Sequence, residues 1–406
     1  MKRPLLILFT LFTLFALSFS VSADETDKIK QPRTRDRTFE IGIADIDIGL
    51  SNNALTPKDF FREKVVLDLD KSNGLNFLFN AFITPFFFNY YRESRGKVID
   101  WQGIGISTTF EAYGHANLSE TLLSLGEARN DKSAIGAAAF AGIDIPVFFK
   151  YREFTIKIQP SLFYPVVYVV PDISYTNYGN DNDVELSFDY FMRIYTIGSF
   201  ENGFSGITAL PGIDLRLRVE YPLAEILGLN DLYSILDFDV GLDIINIPVI
   251  PSTIKDYAEM SGFVKMNKLD PGDLGNFIEY DNTEIIYGTG KKRVLRPFKM
   301  LAWADWRPLE NVLLSIIPTL GFAINPLYLK PASFEGGITA NVDVANFIIL
   351  SLGFNYTDRY WKNSFGAVLY FRNFELDVGL DLRARNFIQS WQGYGFGARF
   401  GLKFGW

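Results

Sequence analysis

The sequence predicts an all-β fold: a closed antiparallel transmembrane β-barrel of roughly 14 strands (12–16), with a small plug at its N-terminal end. Three observations predict it. First, the last twelve residues alternate almost without fault. Phe396, Ala398, Phe400, Leu402, Phe404 and Trp406 share one face, and Gly395, Gly397, Arg399, Gly401, Lys403 and Gly405 share the other. Successive strand side chains point to opposite faces, so one face is apolar and the other small or cationic. Second, the chain opens as an exported precursor. Met1, Lys2 and Arg3 precede an apolar run from Leu5 to Phe19, and Val21-Ser22-Ala23 offers a small-residue cleavage site. Third, no later apolar run is long enough for a spanning helix. A membrane chain without helices must close a barrel, because backbone groups in hydrocarbon have no other partners.

Composition agrees. Aromatics make up 16% of the 406 residues, with 38 Phe, 20 Tyr and 33 Gly, a mixture suited to aromatic girdles around a crowded lumen. The formal net charge is −8, or −10 once Lys2 and Arg3 leave with the signal, which gives no nucleic-acid footprint. The chain has no Cys, so disulfides, thiolate metal sites and thiol nucleophiles are excluded, and so is a lipid-anchored lipoprotein.

The domain reading is a signal peptide over 1–23, a leader and plug over 24–72, and the barrel over 73–406. Asp24 to Thr38 is polar and reads as a flexible leader. Phe39 to Leu50 reads as a strand whose apolar phase slips near Ala44 and Asp45, which predicts a bulge or break there. Thr56-Pro57-Lys58-Asp59 reads as a helix start, with Thr at the N-cap and Pro at the first helical position. Strand patterns follow at Leu75–Tyr90, Gln102–Tyr113, Ala134–Tyr151, Phe154–Val169, Val184–Ile197, Gly212–Tyr221, Leu232–Ile245 and Glu259–Asn267. They continue at Pro297–Trp306, Val312–Ile324, Phe334–Val344, Phe347–Thr357, Ser364–Phe371, Phe374–Arg385 and Tyr394–Trp406. Ser119–Gly126 and Pro222–Leu229 read as short helices. Tyr168–Asp183 and Leu269–Asn282 are rich in Asn, Asp, Gly and Pro and read as long loops.

Several strands separate their faces cleanly. The inward sets are Asp214, Arg216, Arg218 and Glu220, then Asp237, Asp239 and Asp243, then Glu375, Asp377, Asp381, Arg383 and Arg385, and finally Arg399 and Lys403. Such charge is costly in a dry core and predicts a wet or salt-bridged lumen. Three acids along one strand spread too far for a compact Ca²⁺ shell, so Asp237, Asp239 and Asp243 read as solvated lumen residues. The early strands differ, because both of their faces are largely apolar. Phe82, Phe86, Phe140 and Phe148 are the candidate lining of an apolar passage. Pro85, Pro146, Pro160 and Pro165 fall in these strands and predict kinks, bulges or gaps. His115 is the only His, lies near a turn and has no sequence-evident catalytic partner. No enzyme, metal or cofactor is expected.

The segment before the barrel, the strand number, the apolar interior patch and the kinked early strands resemble the long-chain fatty-acid transporter superfamily. The chain also resembles exported barrel proteins of spirochaetes. The superfamily carries an Asn-Pro-Ala type signature in its N-terminal hatch. Here Ser51-Asn52-Asn53-Ala54-Leu55 lacks the Pro, and no binding residue is carried over. The resemblance implies an outer-membrane channel or transporter for hydrophobic small molecules such as fatty acids. A general diffusion porin and a structural or host-interaction surface protein are the alternatives. The expected partners are outer-membrane lipid, the barrel assembly machinery and a hydrophobic small molecule, with no nucleic acid.

The terminal aromatic with apolar residues at every second position (Phe400, Leu402, Phe404, Trp406) resembles the signal that barrel assembly machinery reads. Replacing Phe404 and Trp406 with Asp should leave export intact and block assembly. The product should stay protease-sensitive and lack the heat-modifiable gel shift of a folded barrel; normal assembly would refute the signal.

Overall fold

The computed structural model describes residues 38–53, 75–93, 99–118, 132–170, 173–180, 183–198, 206–228, 237–266, 278–282, 286–308, 314–328, 331–344, 347–371 and 373–406. The signal peptide, the leader before Thr38, the helix start at Thr56 and the Ser119–Gly126 helix lie outside the described residues.

One antiparallel sheet closes on itself. β1 (Phe39–Asn52) pairs with β2 (Leu75–Glu93), and β2 pairs with β3 (Ile99–Leu118). The next wall position is shared by β4 (Lys132–Asp144) and β5 (Val147–Tyr151), and both pair with β6 (Phe154–Val170). A short β7 (Ile173–Asn180) pairs on the first half of β8 (Asp183–Thr196). β8 and β9 (Gly212–Tyr221) together face β6. β10 (Phe238–Ile250) and β11 (Ser252–Met266) form the following position, and β12 (Ile278–Asn282) pairs antiparallel with the end of β11. β13 (Ile286–Val294) and β14 (Phe298–Trp306) come next. Then β15 (Leu314–Ile324), β16 (Ala332–Val344), β17 (Ile348–Thr357), β18 (Tyr360–Phe371), β19 (Phe374–Ala384) and β20 (Gly395–Gly405) pair in sequence. β20 pairs back onto β1, which gives fourteen wall positions and a closed ring.

The closure corrects the plug reading for its first part. Phe39–Asn52 is not inside the barrel; it is the first wall strand, hydrogen-bonded on both sides. The wall therefore starts at Phe39 rather than at residue 73. The phase slip that set this stretch apart is a bulge. The register against β20 shifts between Ile43 and Ile46, and Ala44 takes a positive φ of 59°. One extra residue returns Ile46, Ile48 and Leu50 to the outer face held by Ile41 and Ile43. The Tyr168–Asp183 loop reading is also corrected: the end of β6, then β7 and the start of β8, which pair as a hairpin, occupy most of it. The short helix after β9 is present as α1 (Leu223–Ile226).

The two faces are inverted relative to a water-soluble sheet. Ile43, Ile104, Leu320 and Leu380 point outward and are exposed, Leu380 by 66%. Glu335, Glu375, Asp381 and Arg383 point inward and are buried. The short α2 (Phe387–Trp391) lies on the outer face, where Trp391 packs against Phe354 and Phe365, and Asn363 donates to Ser390 at 2.6 Å.

The prolines shift the register of the wall while hydrogen bonding continues beside them. The β2–β3 register shifts between Ile83 and Phe86, across Pro85, and the β4–β6 register shifts at Phe140, which faces Pro165. Pro146 separates β4 from β5, yet Gly105 N donates to Pro146 O at 2.8 Å and Ile145 N to Pro160 O at 3.0 Å.

Small inner residues make room for large ones. A Cβ on Gly49 would lie 1.5 Å from Arg383 Nη1, and one on Gly397 would lie 2.6 Å from Arg383 Nε. That guanidinium is held by several partners and cannot move aside cheaply. Gly49→Ala should therefore lower stability by about 2 kcal/mol. Gly114→Ala should be nearly neutral, since its added Cβ would find its nearest neighbour at 3.8 Å. The urea midpoint of the heat-modifiable band checks this; equal midpoints would contradict it.

Candidate functional site

The lumen has a charged half and an apolar half. The charged half is built on β1, β2 and β18–β20. Arg383 donates to Asp47 at 2.7 Å, Asp381 at 2.6 Å, Asn80 at 2.6 Å and the Tyr360 hydroxyl at 3.1 Å. Lys362 lies 3.2 Å from Asp47 and 3.5 Å from Asp381. Arg399 meets Asp377 at 3.2 Å, and Lys403 meets Glu375 at 3.5 Å. Farther round, Arg216 pairs with Asp243, Arg218 with Glu220 at 2.9 Å, and Arg307 with Asp237, Asp239 and Asp305. These partners share the inward phase, some two residues apart on one strand and others one to three strands apart, so closure brings opposite charges into contact.

The apolar half is an aromatic cluster on the opposite wall. Tyr113, Ala138, Phe140, Phe163, Tyr168, Tyr195, Ile254 and Val294 are buried together, with Phe82 packed against them. Phe140 sits 6.4 Å from the Tyr113 ring and 5.9 Å from the Phe163 ring, both edge-on; Phe82 meets Tyr113 edge-on at 5.4 Å. These are favourable aromatic geometries.

The cluster is covered from across the ring. The turn between β15 and β16 starts half-way round the barrel from β3. Asn325 shapes it: its side-chain oxygen accepts from Leu327 N at 3.1 Å, and its carbonyl accepts from Tyr328 N at 3.2 Å. Leu327 is 2% exposed and belongs to the aromatic cluster. Tyr328 lies 4.9 Å from the His115 ring, and the Arg359 guanidinium lies 4.7 Å over Tyr328. A Cβ on Gly136 would meet His115 Cε1 at 2.4 Å and Leu327 O at 3.1 Å, so only glycine admits this strap.

A buried arginine braces the cluster from beneath. Arg296, in the break between β13 and β14, donates to Asp214 at 2.9 and 2.6 Å and to Glu111 at 3.0 Å. It also lies 5.0 Å over the Phe163 ring, and Glu111 accepts from the Tyr113 hydroxyl at 3.1 Å.

Of the four candidate apolar residues, Phe82, Phe140 and Phe148 face inward; Phe148 packs on Tyr91 at 5.5 Å with Lys157 5.6 Å over its ring. Phe86 is a correction. The shift across Pro85 flips it to the outer face, opposite Ile43, where it is exposed. The anticipated lumen charges face inward except Arg385, which lies past the end of β19 and is exposed. Of the three acids read as solvated, Asp237 and Asp239 are partly exposed and Asp243 is buried against Arg216; Asp214, Glu375, Asp377, Asp381 and Arg383 are buried in ion pairs. Phe400, Leu402, Phe404 and Trp406 lie on the outer phase, and Trp406 stacks on Phe39 at 5.0 Å. Tyr113, Phe163, Glu111, Arg296 and Leu327 were not anticipated. The first three share an inward strand phase that periodicity could have exposed; Arg296 and Leu327 sit outside strands and carry no such signal.

No family model matches the chain, and no curated protein does. Among solved structures, the P. putida toluene transporter TodX overlaps at TM-score 0.44 and 9% identity, covering 91% of this chain and 89% of that one. The Ralstonia pickettii toluene transporter TbuX overlaps at 0.44 and 11%, covering 96% and 95%. The barrel assignment rests on the ladder pairings themselves.

Removing Arg296 should expose how much the brace carries. Arg296→Met leaves two buried carboxylates facing each other and should cost about 3–5 kcal/mol. Adding Asp214→Asn and Glu111→Gln should recover most of that loss, read as the unfolding midpoint of the heat-modifiable band. A single substitution without effect would contradict the brace.

Proposed function

We propose that the chain is an outer-membrane channel for hydrophobic small molecules, fatty acids among them. In this reading it is exported by a signal cleaved after Ala23 and inserted into lipid by the barrel assembly machinery. The observation that carries the proposal is the inward aromatic cluster under a strap that only a short turn supplies. A water pore has no use for such a surface, because apolar area held in water costs about 25 cal/mol per Å². The paired charges of the other half count against a wide diffusion pore, since their side chains fill the space that water would need. Phe82, Phe140 and Phe148 are the proposed lining, joined by Tyr113 and Phe163. The charged half holds the wall in register and leaves the apolar half as the route.

Phe140→Asp places a carboxylate in the cluster. It should weaken binding of a fluorescent fatty acid to the barrel in lipid nanodiscs by about tenfold or more, while the heat-modifiable shift persists. Unchanged affinity in a folded variant would contradict the proposal.

A further inference from the structure

His115 has a place in the lumen that packing alone does not explain. It stands on the inner face of β3, 9% exposed, beside the aromatic cluster and beneath Tyr328. Among the described residues neither ring nitrogen has a hydrogen-bond partner, and neither has the side-chain nitrogen of Asn325, at the base of the same strap. A buried polar group without a partner loses its hydration with nothing in return, and native structures seldom keep one without a use. The strap that covers His115 is also the piece that fills the cluster: Leu327 enters the aromatic pocket and Tyr328 lies over the imidazole. One ligand with a flat apolar body and one polar group would replace both contacts at once.

We propose that His115 is the polar recognition residue of the lumen, selecting hydrophobic compounds that carry one uncharged hydrogen-bonding group, such as a phenolic hydroxyl. The proposal rests on the channel reading and deepens it. The ligand's ring takes the place of Leu327 among Tyr113, Phe140 and Phe163, and its hydroxyl meets the imidazole that Tyr328 uncovers. A neutral imidazole offers one N–H and one lone pair, and a hydroxyl can answer either. A fatty acid answers it in its protonated form, whereas a carboxylate could answer only the N–H and would bring a full charge among Phe and Tyr side chains. The charged groups nearest the strap are already engaged. Lys299 is held by Asp358 at 3.2 Å and Glu335 at 3.8 Å, and Arg359 covers Tyr328.

The test compares two probes of nearly equal shape, 1-naphthol and 1-methylnaphthalene. Their binding is measured on the full barrel in lipid nanodiscs, with empty nanodiscs subtracted. The unmodified protein should bind naphthol about fivefold more tightly, the effect of one hydrogen bond to a buried uncharged group. His115→Phe should keep the affinity for methylnaphthalene and lose the preference; His115→Gln, which retains a donor and an acceptor, should keep part of it. Because the chain has a single His, its ring nitrogens give one pair of ¹⁵N signals in protein purified without a histidine tag. Naphthol should shift them and methylnaphthalene should not. Equal affinities in the unmodified protein, a preference that survives His115→Phe, or ring signals blind to naphthol would each overturn the proposal. If neither compound binds, the channel reading falls with it.

Discussion

The structure depends on the seam between its first and last strands. Ile41 faces Phe404, Ile43 faces Leu402 and Ile48 faces Ala398 across one antiparallel ladder. Thr38 N and Phe39 N both reach the Trp406 carbonyl, at 2.5 and 3.1 Å. In hydrocarbon an open sheet edge would leave a row of donors and acceptors unsatisfied, at several kcal/mol each. Closing the seam removes that edge. It also creates an interior, and the rest of the design concerns how that interior is filled.

Two kinds of filling share it. On the β18–β20 side, the arginines lie across glycines; Arg383 and Lys362 reach Asp47 two and three strands away, and Arg399 ends on Asp377 of the adjoining strand. Buried pairs of this kind seldom add net stability over well-packed apolar residues, but breaking one is costly. Their effect is to fix register: a one-residue slip of β19 would send Arg383 and Asp381 to the outer face and leave Asp47 buried without its Arg383 partner. On the β3–β8 side the filling is aromatic and comes partly from a turn on the far wall. The charged side fixes the register of the wall, whereas the apolar side is covered by Leu327 and Tyr328, the contacts that the proposed ligand would replace.

Much of this was legible in the sequence. The alternation from Gly395 to Trp406 and from Phe374 to Arg383 gave the faces directly, because one face meets an apolar environment and the other meets charge. The bulge at Ala44 showed as a break in apolar phase. The same reasoning failed one strand later. Phe86 continues the alternation of Phe82 in the sequence, but Pro85 inserts a shift that composition alone does not count. The phase break at Ala44 makes the first strand read as plug rather than wall. The strap and the Arg296 brace were invisible for a different reason. Leu327 joins the aromatic cluster and Arg296 meets Glu111 only after the ring closes, and no local pattern records contacts between residues so far apart in the chain. His115 looked incidental for the same reason, since its neighbour Tyr328 comes from the opposite wall.

The central claim is that the lumen is shut at rest by the strap and the paired charges. Single-channel conductance of the unmodified protein in a planar lipid bilayer tests it most directly. The account predicts no steady open level, with at most brief, small openings as the strap departs. A stable, ohmic conductance of porin size would contradict it and would mean that water fills the space assigned here to Leu327, Tyr328 and the aromatic cluster.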